Sequence, residues 1–76
     1  MNHVTTPAAA RAAKNVLRAQ YRDDARVNGI GIAGRHNRYT VRVNVVDEDT
    51  ADDLPDEVDG VPVEKVVVGR ITASSD

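Results

Sequence analysis

The chain predicts a small α+β domain, one N-terminal amphipathic helix packed on a three-stranded sheet, in the order helix, strand, strand, short helix, strand. Three observations carry this prediction. Thr6-Pro7 supplies a capping hydroxyl followed by proline, which suits the first helical position. Tyr39, Val41, Val43 and Val45 alternate with Thr40, Arg42 and Asn44, the period of a half-buried strand. Asp59-Gly60 between Val58 and Val61 is a tight-turn signature.

The helix is expected from Ala8 to about Arg22. Ala9, Ala13, Val16, Leu17 and Gln20 fall on one side, flanked by Ala10 and Tyr21, with Arg11, Lys14, Arg18 and Arg22 in a stripe opposite. A first strand follows over Val27–Gly34, with Ile30 and Ile32 on one face and Gly29 and Gly31 on the other. Arg35-His36-Asn37-Arg38 has hairpin length, and the second strand spans Tyr39–Val46. Thr50 with Asp53 resembles a capping-box variant that opens one short helical turn, ended by Pro55. The last strand runs from Val61 to about Thr72, with Pro62 at an edge or strand entry and Val66, Val67 and Val68 covered on both faces. The simplest arrangement returns it beside the first strand and antiparallel to it. The result is close to a ferredoxin-like unit without its first strand. Residues 1–6 and 74–76 are expected to be flexible ends around a single domain over 7–73.

Seventy-six residues allow one domain, and the absence of cysteine, phenylalanine and tryptophan leaves Val, Ile, Leu and Ala to build its core. Each buried Val or Leu contributes roughly 1.5–3 kcal/mol, while ordering costs about 1–2 kcal/mol per residue. Burial against a partner or a second copy would relieve that thin margin. No apolar run approaches the ~20 residues that span a bilayer, and no basic-then-apolar leader opens the chain. A cytoplasmic protein of bacterial or phage origin is the expectation.

Charge is divided unevenly. Residues 1–46 hold eight basic side chains against two acidic ones, net +6, and residues 47–76 hold ten acidic against two basic, net −8, which together recover −2. Such asymmetry bears on association and steering. Gly29-Ile30-Gly31-Ile32-Ala33-Gly34 spells G-x-G-x-x-G, but the glycines lie inside a strand and no helix follows to receive a pyrophosphate. They read better as a bulge or a close approach of another backbone. The acidic run has Asp52 and Val58 where a calcium loop begun at Asp47 needs glycine and glutamate. His3 and His36 are the only imidazoles, and Ser74 and Ser75 lie in the tail. Nothing assembles a nucleophile, a base and an orienting group. A non-enzyme without metal or cofactor is predicted.

The segments Val27-Asn28-Gly29-Ile30-Gly31-Ile32, Tyr39-Thr40-Val41-Arg42-Val43, Leu54-Pro55, Val58-Asp59-Gly60-Val61-Pro62-Val63 and Val68-Gly69-Arg70-Ile71-Thr72-Ala73 occur in that order. Together, over roughly residues 10–73, they resemble the small N-terminal α/β accessory segment found ahead of bacterial trypsin-like peptidase domains. These segments correspond to no part of the peptidase domain itself, so no catalytic residue carries over. The resemblance implies an accessory unit that packs against another molecule or another copy of itself.

Three function classes follow. The leading one is a protein-interaction module that self-associates through a sheet edge or the glycine-flattened face (Gly29, Gly31, Arg42, Asn44), steered by Arg11, Lys14, Arg18 and Arg22 and by the acidic 47–59 segment. The second is a prodomain-like inhibitor or chaperone of a peptidase. The third is a nucleic-acid binder using the basic stripe, which the acidic half and the lack of stacking aromatics disfavour.

Overall fold

The computed structural model describes residues 4–69. Helix α1 (Pro7–Gln20) precedes strands β1 (Val27–Ala33) and β2 (Thr40–Val45), helix α2 (Glu48–Asp53), and strands β3 (Glu57–Val58) and β4 (Val61–Val67). The strands form one mixed sheet in the order β1-β2-β4-β3. The α+β class holds, with one strand more than expected: the two residues of β3, too short to leave a period, pair with Val61 and Pro62.

Local chemistry explains the element ends. Thr6 caps α1 by accepting from the Ala9 N–H at 3.1 Å, with Pro7 next. Asp59 and Gly60 both take positive φ (51° and 84°), as a two-residue hairpin between β3 and β4 requires. Likewise His36 and Asn37 (φ 56° and 61°) turn the β1–β2 hairpin, closed by Arg38 N–H donating to Arg35 C=O at 3.0 Å. Gly34 is obligatory there: its φ is 100°, and a Cβ would lie 2.3 Å from the Arg38 carbonyl oxygen.

The last strand does not return beside β1. It lies parallel to β2, pairing Val41 with Val63 and Val45 with Val67. Its direction relative to β1 is as expected; its neighbour is not. The crossover through α2 sets the direction of β4, and the neighbour it takes, β2, is the strand that buries most: Val41, Val43 and Val45 are all fully buried. They form the core with Ala13, Leu17, Leu54 and Val61, and Tyr21, Val27, Ile30, Ala51, Val58 and Val63 pack around them. Pro62 sits at strand entry, as expected, but the strand is interior to the sheet.

Three further expectations are corrected. The buried face of α1 is Ala10, Ala13 and Leu17, while Ala9 and Gln20 are exposed and Val16 is 44% exposed. This face points about 60° round the helix from the predicted one at 100° per residue, because Tyr21 rather than Val16 reaches the core. The cap of α2 is Asp47, not Thr50; Thr50 is buried inside the helix. Val67 and Val68 are 43% and 44% exposed, so the valine run is not covered on both faces. Within the N-terminal stretch 1–6, Thr5 is buried, its N–H donates to the Asn37 carbonyl at 2.7 Å and its carbonyl accepts from the Tyr39 N–H. The end expected of β4 at 70–72, and the tail 74–76, lie outside the described residues.

Candidate interaction surface

Both helices reach the core side of the sheet, where α1 packs over β1 and β2 and α2 over β2 and β4. Residues paired across neighbouring strands share a face. Gly29 opposite Asn44, Gly31 opposite Arg42, Glu64 beside Arg42 and Val66 beside Asn44 therefore make up the other face. Among the described residues no element covers it. The four residues expected to form a glycine-flattened patch (Gly29, Gly31, Arg42 and Asn44) do lie together, lining with Ile30 and Ile32 an open hollow of ≈ 260 Å³.

The fold itself does not demand the two strand glycines. Neither has positive φ. A Cβ on Gly31 would meet nothing within 4 Å, and one on Gly29 would make an ordinary 3.7 Å contact with Asn44 Nδ2. Glycine inside a strand is nonetheless unfavourable by roughly 0.5–1 kcal/mol relative to alanine. The bulge anticipated near them is real, but its extra residue is Asn28, between Val27 and Gly29 in the register. Asn28 donates from Nδ2 to the Gly69 carbonyl at 3.1 Å, which ties the end of β4 to the start of β1.

Charges divide into paired and unpaired sets. Arg42 Nε donates to Glu64 Oε1 at 3.2 Å across the uncovered face, and both side chains are about half exposed. Lys65, on the core side of β4, reaches Asp56 at 2.6 Å. Arg26 grips Asp24 through Nε (3.1 Å) and Nη2 (3.0 Å) and lies 3.8 Å from Asp53. The hydrogen-bonded Arg26 guanidinium, helped by the Arg26 N–H, lowers the Asp24 pKa, and the bound Lys65 ammonium lowers that of Asp56. The acidic run is thus spent at separate places, and among the described residues no three acidic or imidazole side chains gather as a metal site.

Arg11, Lys14, Arg18 and Arg22 make no ion pair with another described residue. Because the buried face of α1 is turned toward Tyr21, their stripe flanks that face instead of standing opposite it. Arg18 and Arg22 come down beside β1 and line, with Ala19, Tyr21, Val27, Gly29 and Ile30, an open hollow of ≈ 640 Å³. Sequence periodicity misses this juxtaposition because it depends on the rotation of α1 over the sheet. Arg11 and Lys14, earlier on the same helix, take no part in that hollow. No described helix is long and apolar enough to cross a membrane. Compared with family models, curated proteins and solved structures, the chain matches none.

Proposed function

We propose that this chain is a non-enzymatic protein-interaction module that self-associates through the uncovered face of its sheet. One observation carries the reading. Gly29 and Gly31 sit side by side on that face, at positions where the fold has room for a side chain and would gain stability from one. A second backbone or flat surface approaching the sheet accounts for glycine there. The same face carries Val66, and a sheet left bare on one side has unburied apolar area for a second layer to cover.

The test is absolute mass by light scattering after size exclusion, at low and high salt. The expected result is a discrete oligomer that survives high salt, with Gly31→Arg shifted to monomer while its circular dichroism is unchanged. A monomer throughout, or an unaltered Gly31→Arg oligomer, would overturn the reading.

A further inference from the structure

We infer that the free edge of β1, flanked by Arg18 and Arg22, takes an extended acidic peptide segment as an added strand. This rests on the reading of the chain as a protein-interaction module but uses a different surface from its self-association.

β1 is a terminal strand of the sheet and pairs only with β2 among the described residues. Its outer row of backbone donors and acceptors is therefore a template for another strand. Edge strands are commonly blunted by proline, by inward-pointing charge or by a covering element. β1, with the sequence Val-Asn-Gly-Ile-Gly-Ile-Ala, has no proline and no charge. What stands beside it instead is the ≈ 640 Å³ hollow lined by Arg18 and Arg22, two guanidinium groups without a described ion partner. The charged residues of the described strands themselves are paired or acidic: Arg42 with Glu64, Lys65 with Asp56, and Glu57.

The charge decides between occupants. A second copy pairing β1 to β1 antiparallel, about a two-fold axis perpendicular to the sheet, keeps both helices on one face. It brings Arg18 and Arg22 toward their own symmetry mates, a like-charge juxtaposition that disfavours the dimer. An acidic strand meets the opposite field. Side chains at alternate positions of that strand lie about 7 Å apart on the helix side, where Arg18, in the last turn of α1, and Arg22, just past its end, both line the hollow beside β1. Carboxylates at every second position can face both arginines, while the intervening side chains pass beside Gly29 and Gly31.

The experiment uses the full chain and a fluorescein-labelled peptide alternating glutamate with valine, read by anisotropy, with hydrogen exchange on the bound sample. We expect saturable, salt-sensitive binding, new protection of the β1 amides, no binding of the lysine–valine counterpart, and affinity at least about tenfold weaker in Arg18→Glu/Arg22→Glu. Equal binding of both peptides, unchanged affinity in the double variant, or binding without β1 protection would overturn the inference. So would displacement of the peptide by a single-stranded oligonucleotide that binds more tightly, which would assign the arginines to phosphate. Light scattering on the same samples separates this inference from the self-association reading. An oligomer that ignores the acidic peptide removes only the edge site. A monomer that binds it removes only self-association.

Discussion

The Thr50 hydroxyl donates to Asp47 Oδ1 at 2.6 Å, and the same oxygen accepts from the Thr50 N–H at 2.8 Å. One carboxylate thus caps α2 and satisfies a side chain that is only 2% exposed. The two roles are coupled, since a helix of six residues (Glu48–Asp53) has little stability apart from its cap and its packing.

Asp47→Ala removes the cap and leaves a buried hydroxyl without that acceptor. Loss of a cap costs typically ~1 kcal/mol, and an orphaned buried polar group about 1–3 kcal/mol. We expect a drop in unfolding free energy of about 2 kcal/mol, measured by urea denaturation. The double variant Asp47→Ala/Thr50→Val should recover part of it, because the hydroxyl is then gone as well. Equal stability of single and double variants would show that only the cap matters.

At the β1–β2 turn, His36 and Asn37 hold a left-handed conformation that suits asparagine and glycine better. His36→Asn/Asn37→Gly is expected to raise the melting temperature, by an amount matching about 0.5–1 kcal/mol. Gly34→Ala should lower it sharply, since its new methyl would collide with the Arg38 carbonyl. Thermal melts of the two variants should move in opposite directions.

Gly31→Ala has no described neighbour to disturb. It should stabilise the isolated chain by roughly 0.5–1 kcal/mol. In chemical denaturation at low protein concentration the variant should unfold at higher urea than the parent. A loss of stability in the dilute monomer would mean that the glycine is required within the chain itself.

Asp24 and Asp56 both have carboxyl pKa values lowered in the fold by their partners Arg26 and Lys65. A depressed folded-state pKa contributes stability that is present above the unfolded value, near 3.9 for Asp, and is lost as pH falls through the lower folded value. Melting temperature should therefore decline as pH drops below about 4. The decline should be shallower in Asp24→Asn/Asp56→Asn, which has no such carboxylates to protonate. Parallel pH profiles for parent and variant would show that these pairs do not contribute.

What could be read from the sequence was local. Thr6-Pro7 marks the start of α1, the valine alternation fixes which face of β2 is inside, and Asp59-Gly60 announces its turn. The glycine patch was also legible, because a strand period places Gly29 and Gly31 on the face of Arg42 and Asn44 once the hairpin is drawn. What could not be read depends on distant parts of the chain. The choice of β2 over β1 as the neighbour of β4 is a long-range pairing with no local signature. The rotation of α1 was hidden because its alanines at 9, 10, 12 and 13 spread over about 160° of the helix, so period alone could not decide which of them met the sheet. Asp47 and Thr50 are each plausible caps, and only the burial of Thr50 separates them.

The anchoring of Thr5 has a mechanical consequence. Its backbone bonds hold it at residues 37 and 39, ahead of the first residue of β2, while Gly69 lies beyond Val67, which pairs with the last. These two points sit at opposite ends of the same strand direction. A tension applied between them runs along the strands, so the bonds at Thr5 and those joining β2 to β4 are loaded in shear and must yield together. Pulling Val27 against Val45, which face each other at the open end of the β1–β2 hairpin, would instead peel that hairpin's bonds one at a time. A chain tethered at Thr5 and Gly69 would resist force along the axis of β2 more strongly than across it.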